Sequence, residues 1–278
     1  MINQSLYEGV VALALEEDLG TAGDLTSEAT IDPAATAVAH FRTRRPGVIA
    51  GLGVAGYVFS VVDDSIRFDA RVEDGARVDR DTVIAVVEGS ARSILSAERT
   101  ALNFLTRMSG VATQTALLVD AVEGTSARIA DTRKTMPGLR ALDKYSVRMG
   151  GGMNHRFGLH DAVMIKDNHI ASVGSITKAV DAARARVGHT VTVEVEVENL
   201  RQLEEVLGTD TDIVLLDNMS PMDLAEAVRM VDGAMTTEAS GGITLDNARE
   251  FAETGVDVIS VGWITHSAPQ LDIGLDFV

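Results

Sequence analysis

Polarity along the chain changes its period twice. Between residues 36 and 89, apolar and β-branched residues come in short alternating runs. They predict strands over 37–43, 47–50, 65–71 and 82–88, with Asp74-Gly75 as a turn. The stretch VEDGARVDRDTVIAVVEG looks like part of a small β-barrel of the biotin/lipoyl-carrier kind. No lysine precedes Lys134, so the modifiable lysine of a carrier is missing and the stretch reads as structural. Residues 93–118 then predict a helix, with Leu95, Ala101, Leu102 and Leu105 as its apolar stripe. Arg99 falls on that stripe by spacing. Pattern alone favours an arginine that lays its stem on the core and reaches for water.

From Arg128 onward strand and helix patterns alternate. Strands are predicted over 128–131, 162–166, 191–197, 213–217, 236–239 and 256–261. Helices are predicted over 139–149, 176–187, 200–207, 222–231 and 245–253. Alternation of this kind implies parallel strands with helical crossovers, closed into a barrel or part of one. Chemistry in such barrels collects at the C-terminal strand ends. There the sequence supplies Thr132, Arg133 and Lys134, then Lys166 to His169, then Asp217 and Asn218, then Ser240, Gly241 and Gly242, then Ser260, Val261 and Gly262. The run TVTVEVEVE puts its valines on one face and Thr192, Glu194, Glu196 and Glu198 on the other. On pattern alone this is an edge strand with one wet face. In a parallel array the glutamates point inward instead, where unpaired carboxylates are costly and need bases or a metal.

Two successive strand ends carry glycine turns, EASGGI and ISVG. Their backbone N–H groups, with a following helix N-terminus, suit a phosphate. Carboxylates near phosphate suggest Mg²⁺, which takes oxygen ligands. His155 and His160 stand five apart, a poor zinc spacing on a helix.

Composition narrows the options. The chain has 278 residues, enough for one large domain or two modest ones at about 100–200 residues each. Having no cysteine excludes disulfides, thiolate metal sites and a cysteine nucleophile, and fits a reducing cytoplasm. The first twenty residues hold no basic residue, so no signal peptide is expected, and no apolar run is long enough for a membrane span. A formal charge of −17 argues against nucleic acid and anionic membranes. Residues 128–169 go against that balance, with eight bases, four acids and three of the six histidines. Such an island is either a pocket for a small, highly charged anion or a solvated helix face.

DTRKTMPGLRALDKYSVRMGGGMNHRFGLHDAVMIKDNHI, at 131–170, closely resembles the quinolinate phosphoribosyltransferases. The resemblance continues through SAERTALNFL, VEVEVEN, DIVLLDNM, EASGGI, GVDVISVGWITHSAP and LDIGLDF, in order over nearly the whole chain. It implies an N-terminal α/β sandwich over 1–110 and an open, incomplete parallel α/β barrel over 111–278. It leaves open that the last ten or so residues pack back on the N-terminal domain. It implies a pentosyl transfer from phosphoribosyl pyrophosphate to quinolinate, with decarboxylation, giving nicotinate mononucleotide for de novo NAD synthesis. The partners implied are those two substrates and a second copy in a homodimer, with a hexamer as a further assembly.

Carried over, Arg133, His155, Arg156 and Lys166 line the quinolinate site, and Arg99 of the partner subunit reaches in. Lys134 and Lys166 face the pyrophosphate. Glu196 and Asp217 hold Mg²⁺, partly through water and substrate, and with Lys134 form the catalytic set. Ser240, Gly241, Gly242 and Gly262 seat the 5′-phosphate, and Thr132, Ser260 and Val261 complete the substrate contacts. One rival is an aldolase with Lys166 as Schiff-base amine; Arg156, His155 and Asp167 nearby make it an anion ligand instead. The other is a relative acting on a different heteroaromatic acid, as in the family's molybdenum-operon members. Lys144 and Arg148 read as helix-surface charges, His169 as a satisfied strand-end histidine, and Arg140 is open.

Overall fold

The computed structural model describes residues 2–278. Among them the strands are, in chain order, β1 (Thr36–Thr43), β2 (Gly47–Val48), β3 (Arg67–Ala70), β4 (Arg77–Val78), β5 (Val83–Ser90), β6 (Arg128–Ala130), β7 (Val163–Ile165), β8 (Val193–Val197), β9 (Ile213–Asp217), β10 (Thr236–Ser240), β11 (Val258–Ser260) and β12 (Ile273–Phe277). The chain divides into two compact units. One holds Met1–Ala116, Thr135–Gly151 and Trp263–Val278; the other holds Leu117–Lys134 and Gly152–Gly262. The first unit is not continuous in sequence: the chain returns to it twice.

The first unit carries an antiparallel sheet in the order β12-β1-β5-β3, and β2 pairs with β4. The C-terminal strand therefore lies against β1, from Ala39 opposite Phe277 to Thr43 opposite Ile273. Phe41, Phe59 and Phe68 meet in the core at centroid distances of 5.8 and 5.9 Å from Phe41. The strand pattern predicted none of the unit's early helices, Glu8–Leu19, Leu25–Thr30 and Leu52–Val62. The last is apolar nearly all round, which hides a helical period. It starts after Gly51, at φ 102°, where Asp74 accepts the Gly51 and Leu52 N–H groups at 3.0 Å each. Tyr145 donates to the same carboxylate at 2.7 Å.

Two expectations fail in this unit. The helix Ala91–Ala121 buries Ile94, Ala97, Ala101, Leu105 and Met108. Arg99 points away from that stripe and is exposed. Of the predicted stripe Ala101, Leu102 and Leu105 are buried and Leu95 half-buried; Ile94 and Ala97 shift the buried face away from Arg99. Lys144 is not a surface charge but 3% exposed, while Arg148 is exposed. The helix Arg140–Met149 buries every residue from Leu142 to Val147, so Asp143 and Lys144 go inside with it. Asp143 meets Arg107 at 2.7 Å, and Arg140 donates to Thr135 at 3.1 Å.

The second unit is a six-stranded parallel sheet in the order β6-β11-β10-β9-β8-β7. Helices Ile176–Arg184, Leu200–Leu207, Pro221–Val231 and Ala248–Ala252 alternate with its strands. The first and second strands of the unit, β6 and β7, are its two edges, so the barrel is open between them. The segment joining them carries His155 and Arg156. Val193, Val195 and Val197 are fully buried on one face of β8, as a strand under helices requires. Among the described residues no helix is long and apolar enough to cross a membrane.

Candidate active site

A cavity of about 390 Å³ opens at the C-terminal strand ends of the second unit. Thr132, Arg133 and Lys134 follow β6 into it; Lys166 follows β7. Glu196, Asp217, Ser240 and Ser260 project from β8, β9, β10 and β11. His155 and Arg156 enter from the β6–β7 segment, and Met164 and Leu215 add apolar wall. Four of the eight bases of the 128–169 island thus converge here. Arg140, Lys144 and Arg148 belong to the first unit, and Arg128 stands at the far end of β6. Arg99 also belongs to the first unit and does not line this cavity.

The segment carrying His155 is held by Asp131, which is fully buried. Its carboxylate accepts the His155 N–H at 2.9 Å and the Asn154 side-chain amide at 2.7 Å. Arg156 donates to the Ala162 carbonyl at 3.1 Å. Burial, and next Arg133 beside it, work against the charge of Arg156. A dianionic ligand would relieve that repulsion.

On the opposite wall Lys166 is ion-paired with Glu196. Asp217 is held above the ordinary carboxylate range, first by burial and then by Glu196. Two oxygen ligand groups that repel each other in a partly buried site fit a hard divalent cation. Asn218, at φ 54°, donates to Asp217 at 2.7 Å.

The glycine turn after β10 is built for close approach. Gly241 and Gly242 have φ 98° and 65°. A Cβ on Gly241 would stand 2.2 Å from Asn218 Oδ1. Asn247 closes the turn, accepting the Thr244 N–H at 2.7 Å and donating to the Gly242 carbonyl at 3.1 Å. The predicted helix over 245–253 shrinks to Ala248–Ala252, so the turn itself, and not a helix terminus, follows β10 directly. A Cβ on Gly262 would stand 2.7 Å from Lys134 Cδ, so that glycine leaves room for the lysine. Gly241, Gly242, Val261 and Gly262 shape the rim without lining the cavity wall.

The family model for the quinolinate phosphoribosyl transferase C-terminal domain matches residues 111–276, and that for the N-terminal domain matches 24–109. The chain belongs to the quinolinate phosphoribosyltransferase family. It is 48% identical to the nicotinate-nucleotide pyrophosphorylase [carboxylating] of Mycobacterium leprae, over 95% of this chain and 94% of that one. The crystal structure of NadC from Streptococcus pyogenes matches with a TM-score of 0.95 at 39% identity, covering 100% of this chain and 99% of that one. The nicotinate-nucleotide pyrophosphorylase of Francisella tularensis matches with a TM-score of 0.96 at 39% identity, covering 100% and 98%.

Below the rim, the family fold holds a group that motif reasoning overlooked. Glu238 lines the cavity from β10, is 4% exposed, and faces Glu194 and His155. It stands two residues before Ser240, on the same strand face, and that spacing was the available signal. His155 lines the cavity, but its ring nitrogens are directed at the protein. Nδ1 accepts the Arg156 N–H at 2.7 Å, and Nε2 lies 3.2 Å from Glu194. His169 accepts the Lys166 N–H at 3.0 Å at the start of the helix Asp167–Val173.

Proposed function

We infer that the protein transfers phosphoribose from phosphoribosyl pyrophosphate to the ring nitrogen of quinolinate, with loss of carbon dioxide, giving nicotinate mononucleotide for NAD synthesis. The observation that carries this is the convergence of Arg133, Lys134, Arg156 and Lys166 on one cavity with Glu196, Asp217 and a glycine turn. Quinolinate bears two adjacent carboxylates and needs cations held close together. Arg133 and Arg156 supply forks for them, and Lys166 a point charge.

Breaking the ribose C1–pyrophosphate bond builds positive charge on the sugar. Glu196 stabilises that charge, and Lys134 takes up the negative charge of the departing pyrophosphate. The pyridine nitrogen bonds to C1. The ring nitrogen, now cationic, stabilises the electron pair left on C2 when the 2-carboxylate departs as carbon dioxide. Ser240, Gly241, Gly242, Ser260, Val261 and Gly262 seat the 5′-phosphate, and Thr132 positions Lys134 through a 2.9 Å hydrogen bond from the Lys134 N–H. His155 supports the quinolinate face by holding the floor rather than by donating to substrate.

Glu196 and Asp217 would hold Mg²⁺, since their mutual repulsion is what a divalent cation removes. When bound, the ion supplies Lewis-acid stabilisation of the leaving pyrophosphate. We assign the protein to the cytoplasm and to a homodimer, the unit of any hexamer, in which Arg99 of the partner subunit completes the quinolinate site. Its exposure off the core stripe supports that role.

The test is nicotinate mononucleotide formation from quinolinate, phosphoribosyl pyrophosphate and Mg²⁺, with nicotinate in parallel. Product from quinolinate alone is expected, with a loss of about 10²–10³-fold or more in Lys134→Ala and in Arg133→Ala. No product from folded, metal-supplied protein sinks the assignment and points to another heteroaromatic acid.

A further inference from the structure

Two cavities meet at Glu238. The active-site cavity lies at the C-terminal strand ends. A second, of about 920 Å³, opens at the N-terminal ends, where Arg128, Thr192, Thr236 and Val258 begin or precede their strands. His155, Arg156 and Glu238 line both. The floor between the two mouths is therefore a thin layer of side chains that a substrate meets from above and water from below.

That floor has too few protons for its charges. The Arg156 N–H occupies His155 Nδ1, so the ring proton sits on Nε2. Nε2 stands 3.2 Å from Glu194 and 3.5 Å from Glu238. One N–H thus faces two carboxyl groups, each at least nine-tenths buried. Two carboxylates there would leave a buried charge uncompensated, so one of them holds a proton. Glu238 is the one. Its Oε1 is buried without a hydrogen-bond partner. The groups facing it are Glu194 from β8, His155 and Asp131 from the β6 side, and Ser260 from β11, while β9 sets Leu215 beside it. Burial, then Glu194, push its acid up to about 7, against the opposing pull of His155 and the Ser260 hydroxyl.

We propose that Glu238 is the acid that protonates the ring carbon vacated by carbon dioxide. This rests on the decarboxylating transfer assigned above. Departure of carbon dioxide breaks the C2–carboxylate bond and leaves its electron pair on C2, next to the cationic nitrogen. The Glu238 O–H bond breaks and its proton forms the new C2–H bond. Glu238, now a carboxylate, regains a proton from water reaching it through the second cavity, and the cycle closes without a further reactant.

The experiment compares wild type with Glu238→Gln, which keeps the shape and cannot give up a proton. Carbon dioxide release, nicotinate mononucleotide formation and quinolinate binding are measured across pH. Expected is a fall in kcat of about 10²-fold or more with quinolinate affinity within a few-fold. The wild-type decline in kcat as pH rises through about 7 should be absent in the variant. Ser260→Ala serves as a second variant, should the first not fold. Removing a hydroxyl that favours the carboxylate should move that decline to higher pH. An active wild type whose kcat and pH profile are unchanged in Glu238→Gln overturns the proposal while leaving the reaction intact. An inactive wild type overturns the reaction itself. The ligand atoms of His155, Glu194 and Glu238 also lie within 4.8 Å of one another. A stoichiometric transition metal in purified protein, lost in Glu238→Gln, would replace the proton and overturn the proposal.

Discussion

Glu194 and Glu196 sit two residues apart on the same face of one strand, yet they live in different chemistry. Glu196 stands at the rim, pairs with Lys166 and repels Asp217. Glu194 stands on the floor, nearly sealed from water, and meets His155 and Glu238. At the rim, negative charge is answered by cations. On the floor it is answered by withholding ionisation. One strand step, roughly 7 Å of rise over two residues, separates the two regimes. A carboxylate's task in this barrel is set by its depth.

The contrast is sharpest under metal removal. On the proposal that Glu196 and Asp217 hold Mg²⁺, chelation is expected to abolish product formation and added Mg²⁺ to restore it. A melting temperature that also fell on chelation would erase the distinction. Next in size, Lys166→Ala leaves Glu196 beside Asp217 without its cation. Turnover should fall by roughly 10²–10³-fold, and steady-state kinetics with intact circular dichroism would check it. Gly241→Ala tests the rim's backbone instead. With φ 98° and Asn218 Oδ1 2.2 Å from the new Cβ, it should cost about 1–3 kcal/mol of stability and raise KM for phosphoribosyl pyrophosphate.

The smallest effect belongs to the floor. Glu238 is raised above its ordinary 4.5 to about 7, so between those values the folded protein holds a proton that the unfolded chain has lost. The unfolded state then binds fewer protons, and stability declines as pH rises through that window. Glu238→Gln should remove this contribution. Denaturant melts from about pH 5 to about pH 8 would show the variant gaining on wild type by on the order of 1 kcal/mol. A constant difference would mean that Glu238 is ionised throughout.

Much of the second unit could be read directly from spacing. Each predicted strand end of the barrel lies at or beside an observed one, because a short apolar run that stops at polar or glycine residues marks where a buried strand stops. The first unit was harder. Leu52–Val62 shows no polar face, and the alanine-rich stripe of Ala91–Ala121 misplaced Arg99. The basic island misled in another way, since four charges that look alike in sequence go elsewhere, Lys144 into the interior of the first unit.

Local order along the chain was enough to specify alternation, the inward glutamate face of β8, the glycine turns and the family motifs. These depend on neighbours a few residues apart. Only the folded chain decided which cations meet which carboxylates. It set His155 between Glu194 and Glu238, which are 39 and 83 positions further along the chain. Protonation follows burial and distance, and neither is a property of a residue until the strands carrying it are side by side.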